Sequence, residues 1–314
     1  MELELPEREQ PCLEGAIKYN SARAAFASLL DQLAIKCVWL PRYLCDSMAA
    51  VLKRRDVTVK LYDLAMDFTI ASDMTLEEGS MLLYVNYFGV CGIQAQEVIS
   101  RYGKSHVVID NSQAFFCGPF DCVATIYSPR KFFGLPDGGL LYSDNPNIRL
   151  PETRDGTSET RMGHLISRLI NSPEKAYQQY IRAEQAIAKL PFEGMSRLTE
   201  RLLRSVDFQA ARAARTSNAR YLHDQLGEHN KLSIERDGST APLCYPFLPS
   251  VKTTNRTELI QNRVFLPSYW PEVLTRVEEH SFESELVRDA LFLPCDQRYS
   301  ENDMMRIVNL LNAS

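Results

Sequence analysis

Two hydrophobic periods alternate along the first half of the chain. From Ser21 to Ile35, Ala25, Phe26, Leu29, Leu30 and Leu33 recur at steps of three and four, which predicts a helix. Asn20 or Ser21 can cap it. Cys37–Leu40 is a short apolar run ended by Pro41, the form of a buried strand, and Leu44–Lys53 returns to the helical period. Val57–Tyr62 alternates and is rich in β-branched residues, so it reads as a strand. Met81–Val85, Val107–Ile109, Val123–Tyr127 and Gly139–Tyr142 read as further strands, with a helix from about Ile93 to Tyr102. In the second half, Ile166–Leu190 and Leu198–Leu226 each read as one helix. Strand-like pieces follow at Leu243–Phe247 and Val264–Leu266, then helices from about Phe282 and Glu301.

Strands separated by helices require crossover connections, hence a mostly parallel central sheet with helices on both faces. The expected class is α/β. The expected division is an N-terminal arm (1–14), a large domain (15–205) and a small C-terminal α/β domain (206–314) joined by the long helix. Pro151–Thr160 is polar and aperiodic, so a loop or a mobile flap is expected there. In open parallel sheets, ligands gather beyond the carboxyl ends of the strands. Asp110 and the loop from Ser128 to Gly139 fall there.

With 314 residues, 45% of them apolar and 24% charged, the chain can bury a large core and is neither fibrous nor disordered. A net charge of -5 gives no global field for collecting nucleic acid or anionic membrane, so an anionic ligand needs a local site. No stretch approaches the roughly 20 apolar residues of a membrane span. Met1–Gln10 is charged and lacks the apolar core of a signal peptide, so the expected address is the cytoplasm. The 8 cysteines form no C-x-x-C pair and read as reduced thiols. The 5 histidines show no ligand spacing, and no metal site is expected.

The chemically informative block is Val107–Gly139. Asp110 ends a buried strand, Lys131 lies in the loop after the next one, and the loop turns through Pro136-Asp137-Gly138-Gly139. A separate helix start, Asn20-Ser21-Ala22-Arg23, offers backbone N–H groups and a cation to a phosphate. An amine, a carboxylate and a phosphate cradle are what pyridoxal 5'-phosphate needs: the amine holds its aldehyde, and the carboxylate keeps its ring nitrogen protonated.

In order along the chain, Tyr19–Ala25, Leu40-Pro41-Arg42-Tyr43, Val85-Asn86-Tyr87-Phe88-Gly89, Asp110 with Gln113, and Lys131 with Asp137-Gly138-Gly139 resemble motifs of the DegT/DnrJ/EryC1/StrS family. Its members are pyridoxal-phosphate-dependent sugar aminotransferases of fold type I. The resemblance is close in the first half of the chain and looser in the second. It implies a Schiff-base role for Lys131, a pyridine-nitrogen contact for Asp110 and a cofactor contact for Gln113. It implies phosphate contacts for Ser21, Ala22, Arg23 and Ser128. The aromatic ring over the cofactor falls to Tyr43, with Cys45 an alternative at that position. The family usually has Thr where Arg23 stands, and a longer approach from the serine to the lysine. The resemblance further implies glutamate as amino donor, a nucleotide-linked keto-sugar as acceptor, a product for polysaccharide or glycoconjugate synthesis, and a homodimer.

Each residue also has an ordinary structural reading. Asp110, Ser21 and Ser128 can cap or satisfy backbone, Tyr43 can be core, and Asp137 is expected to shape its turn. Arg298 could receive an anion, but pairing with Asp296 is the preferred reading. Tyr269-Trp270 is read as a cleft wall or core. Two other functions remain open. One is a scaffold that keeps the fold without the chemistry. The other is a pyridoxal-phosphate-dependent sugar dehydratase, against which Lys131 counts because such relatives carry histidine in its place.

Overall fold

A computed structural model describes residues 3–233, 240–251 and 256–312. Its main sheet has seven strands: β1 (Ile17–Tyr19), β2 (Cys37–Pro41), β3 (Thr58–Tyr62), β4 (Ser80–Val85), β5 (Val107–Asp110), β6 (Ala124–Tyr127) and β7 (Gly139–Tyr142). They lie in the order β1-β7-β6-β5-β4-β2-β3. β3, β2, β4, β5 and β6 pair in parallel, while β7 runs antiparallel to both β6 and β1. β1 therefore points the same way as the parallel set. The helices α1 (Ala22–Leu33), α2 (Asp46–Lys53) and α3 (Gly92–Tyr102) form within its crossovers.

Every residue of β4, β5 and β6 is buried, as expected of strands covered on both faces. The side chains divide by alternation. Ile126 and Leu141 join the main core with Phe26 and Leu29 of α1. Tyr127 and Leu140 join an aromatic cluster with Phe115, Phe132, Phe133 and Phe208.

The second half adds α4 (Gly163–Ile170), α5 (Pro173–Ala188), α6 (Arg197–Ser205) and α7 (Phe208–Leu226). It continues with β8 (Tyr245–Phe247), α8 (Arg256–Gln261), α9 (Phe282–Arg288), β9 (Leu291–Leu293) and α10 (Glu301–Asn312). β8 and β9 form a two-stranded antiparallel sheet whose core includes Leu222, Leu226, Met304 and Ile307. Val273, Leu286 and Phe292 pack instead into the main core, which ties the C-terminal part to the large sheet.

The single helix expected over Ile166–Leu190 is two, α4 and α5. Pro173 opens α5 without a backbone N–H, and Ser172 before it is extended. The helix expected over Leu198–Leu226 also divides. Val206 is extended, and the Asp207 carboxylate accepts from Ala210 N at 2.9 Å to start α7. In both places the hydrophobic spacing runs through a polar cap that leaves the period unbroken. Val264–Leu266 is not a strand; Val264 N donates to Leu259 O at 2.8 Å as α8 ends.

Pro151–Thr160 is a loop, but a fastened one. Asp155 and Arg161 form a buried ion pair, Arg161 Nε donates to Pro136 O at 3.1 Å, and Asp155 N donates to Gly194 O at 2.9 Å. Among the described residues, no helix is long and apolar enough to cross a membrane.

Candidate functional site

The carboxyl ends of β1, β6, β5, β4 and β2 share one edge of the sheet. The residues just beyond them are polar yet buried: Asn20, Ser21, Ser128, Asn111 and Asn86, with Asp110 closing β5. Burying polar groups is costly unless they are paired, and most of them are. Asp110 Oδ1 accepts from Ser112 N at 2.8 Å. Asn86 Nδ2 donates to Asn111 Oδ1 at 3.1 Å, and Asn86 Oδ1 accepts from Cys91 N at 2.9 Å. Gln113 Oε1 accepts from Phe88 N at 2.9 Å, which orients the amide. Gln113 Nε2 then remains a buried donor with no partner, on a residue only 1% exposed.

Lys131 ends a short 3-10 turn, Pro129–Lys131, entered from Ser128; Lys131 N donates to Ser128 O at 3.1 Å. The Lys131 side chain is exposed and enters no ion pair among the described residues. The loop around it is firmly held. Arg130 pairs with Glu184 of α5. Asp137 accepts from Ser196 N at 3.0 Å, from Ser196 Oγ at 3.2 Å and from Thr199 Oγ1, so it fastens the loop to the start of α6. Burial pushes the Asp137 carboxyl above its ordinary range despite these bonds. Asp137 thus shapes the turn, as its ordinary reading expects.

The Gly-Gly turn brings this loop onto the start of α1. Gly138 N donates to Asn20 O at 2.8 Å. A Cβ at Gly139 would lie 2.2 Å from the Ser21 carbonyl carbon, so only glycine allows the approach. Ser21 caps α1 by accepting from Ala24 N at 3.1 Å.

Ser21, Asp110, Gln113 and Ser128 therefore lie along one edge of the sheet, with the loop that carries Lys131. Ala22 is the half-buried first residue of α1. Two other candidates are turned to different partners. Arg23 Nη2 donates to Ile187 O at 2.9 Å at the end of α5, and burial, reinforced by Arg130, lowers its pKa. Tyr43 is wholly buried, its ring centroid 4.9 Å from that of Trp270 and 5.6 Å from that of Tyr87. Its hydroxyl is a second buried group without a partner. Cys45 precedes α2, with its Sγ 2.8 Å from Ser47 Oγ. Arg298 forks onto Asp296 at 2.7 and 2.8 Å, the pairing preferred from the sequence.

Two buried arginines escaped the sequence reading. Arg161 faces Asp155. Arg215 occupies the inner face of α7 with Ala211, Ala219 and Leu222. An arginine at four-residue steps from buried alanines was the available signal for the latter.

No protein-family model and no curated protein matches this chain. Solved structures do. A DegT DnrJ EryC1 StrS aminotransferase from Brucella abortus is 16% identical over 95% of this chain and 85% of its own, with a TM-score of 0.60. Sugar aminotransferase CalS13 from Micromonospora echinospora is 11% identical over 98% and 93%, with a TM-score of 0.63. The E. coli GDP-4-keto-6-deoxy-D-mannose-3-dehydratase with bound hydrated PLP is 14% identical over 94% and 87%, with a TM-score of 0.62. At these identities the likeness is one of fold: the chain has the mixed α/β architecture of the fold-type-I sugar aminotransferases, with its mostly parallel central sheet.

Proposed function

We propose that this chain is a pyridoxal-phosphate-dependent aminotransferase that moves an amino group from glutamate to a nucleotide-linked keto-sugar, for polysaccharide or glycoconjugate synthesis in the cytoplasm. The observation that carries the reading is the unpartnered Gln113 Nε2, buried three residues beyond the Asp110 carboxylate. A buried donor without an acceptor costs about 1–3 kcal/mol, and a cofactor oxygen would remove that cost. The edge of the sheet thus fits the cofactor at three points: a buried carboxylate, a spare donor and a free lysine on the neighbouring loop.

When bound, the cofactor supplies an aldehyde that carries the amino group and a ring that accepts electrons. Asp110 holds the proton on the ring nitrogen. Gln113 Nε2 donates to the cofactor, while its Oε1 stays fixed by Phe88 N. Lys131 Nζ supplies the amine that anchors the aldehyde, and afterwards the base that carries a proton between substrate and cofactor. Ser21, Ala22 and Ser128 flank the phosphate.

The reading includes a second copy of the chain. α4 fully buries none of its side chains and exposes Ile166, Leu169 and Ile170. Leu165 of the same helix packs over Gly134 in the Lys131 loop. An apolar surface beside the loop favours a homodimer closed over the site. Sedimentation is expected to show a dimer at micromolar concentration; a monomer with full activity would remove this part of the reading.

One observation favours a binding-only protein instead. Arg23, expected at the phosphate, is committed to Ile187 O. Borohydride treatment of the protein loaded with pyridoxal phosphate separates the two. The expected result is cofactor fixed covalently to the peptide containing Lys131, and none fixed there in Lys131→Ala. Equal fixation in the variant would end the assignment of Lys131.

A further inference from the structure

Arg215 is 2% exposed, and a guanidinium so buried is tolerated only when its N–H groups are satisfied. Its Nε donates to Gln297 Oε1 at 2.8 Å. Its Nη1 donates to Pro242 O at 2.8 Å and to Leu243 O at 3.1 Å. The guanidinium carbon lies 4.5 Å from the centroid of the Phe132 ring, within cation–π range. Gln297 Nε2 completes the grip by donating to Phe132 O at 2.9 Å. Phe132, the residue after Lys131, is thus held by its ring and by its carbonyl.

The same guanidinium reaches the other side of the site. Leu243, whose carbonyl it binds, donates its N–H to Phe88 O at 2.8 Å, and Phe88 N donates to Gln113 Oε1 at 2.9 Å. Phe88 has φ 55°, a conformation a bulky residue keeps only when its surroundings impose it. The next residue interlocks the segments. A Cβ at Gly89 would meet Gln113 O at 2.9 Å and Pro242 Cα at 3.4 Å. One unbroken hydrogen-bonded path therefore runs from the neighbour of Lys131 to the amide of Gln113, with Arg215 at its centre.

We propose that Arg215 is a positioning residue: it sets the register between the Lys131 loop and the Gln113 amide, holding Phe132 through Gln297 and Phe88 through Pro242–Leu243. The inference rests on the reading that Lys131 and Gln113 hold pyridoxal phosphate. A lysine cannot replace the arginine, because the role needs donors fixed in one plane and pointing in two directions.

The test uses the full chain, with Arg215→Lys and Gln297→Leu. Three quantities are measured: the Kd for pyridoxal phosphate, the pH at which the visible absorbance of the bound cofactor titrates, and the melting temperature of the cofactor-free protein. Both variants are expected to weaken cofactor binding by about tenfold or more, the loss of one charge-assisted hydrogen bond, and to move the titration. A variant whose melting temperature falls while Kd and titration match the parent overturns the positioning role, because a merely structural residue behaves so. If Arg215→Lys does not fold, Gln297→Leu decides by the same criteria, since it breaks the grip on Phe132 without touching α7. A parent that fixes no cofactor on Lys131 overturns the underlying reading itself. A parent that fixes it normally, with variants identical to the parent, overturns only the role of Arg215.

Discussion

The edge around Asp110 and Gln113 and the start of α1 are assigned the same task by resemblance, yet their surroundings differ. At the first, the chain leaves a buried donor unpaired, Gln113 Nε2, and pairs the rest of the amide so that this donor is aimed. At the second, the chain uses its own groups. Ser21 Oγ accepts from Ala24 N, and Arg23 Nη2 donates to Ile187 O. A side chain available for a ligand is one that the fold has oriented but not satisfied. By that measure the Asp110–Gln113 edge is the stronger half of the site, and Arg23 serves α5 first.

The largest expected effect concerns the loop that joins the two halves. Arg161→Met leaves Asp155 buried without its partner and releases Pro136 O. Loss of about 3–5 kcal/mol of stability is expected, read by denaturant unfolding. A loss under about 1 kcal/mol, the level of an exposed ion pair, would mean that the loop is held by Asp137 alone.

Asp110→Asn comes next. With the charge on the ring nitrogen no longer matched, the rate of the glutamate half-reaction is expected to fall roughly ten- to a hundredfold. Stability should change little, because the Ser112 N–H still finds the amide oxygen. Equal rates in variant and parent would remove Asp110 from the mechanism.

Arg23→Met sharpens the comparison from the other side. It removes one hydrogen bond to Ile187 O, so stability should fall by about 1 kcal/mol. The Kd for pyridoxal phosphate should stay within a factor of about two, far below the tenfold that a bond to a charged phosphate is worth. A tenfold loss of affinity would return Arg23 to the phosphate and make the two regions equal partners.

The smallest effect is a pH dependence far from the site. Burial raises the Asp296 pKa, but the Arg298 fork outweighs it and holds the carboxyl below its ordinary range. A depressed folded-state pKa gives stability that is present above the unfolded value, about 3.9, and lost as pH falls through the folded one. Asp296→Asn is therefore expected to flatten the stability curve below about pH 4 and leave the cofactor untouched. A curve parallel to the parent's would show that the fork contributes nothing.

The sequence was most legible where one local signal sufficed. β4, β5 and β6 are continuous apolar runs because both sheet faces are covered, and Asp110 and Ser128 stand at their ends for the same reason. The division between α6 and α7 was missed because Asp207 reads as one more polar residue on a helix rather than as a cap. Asp155, Arg161 and Arg215 were missed because their meaning lies in distant partners. Gln297, which Arg215 binds, is 82 residues away, and no period or motif records such a pairing.

The central claim is that the Asp110–Gln113 edge and Lys131 together support amino transfer, and one half-reaction tests it without knowledge of the sugar. Protein loaded with pyridoxal phosphate is mixed with glutamate alone, and absorbance and released 2-oxoglutarate are followed together. The visible absorbance is expected to decline, a shorter-wavelength band to rise, and 2-oxoglutarate to appear in equal amount with pyridoxamine phosphate. Added 2-oxoglutarate should reverse the change. A protein that carries cofactor on Lys131, yet leaves glutamate, glutamine and aspartate unchanged with and without a sugar nucleotide, would contradict the claim.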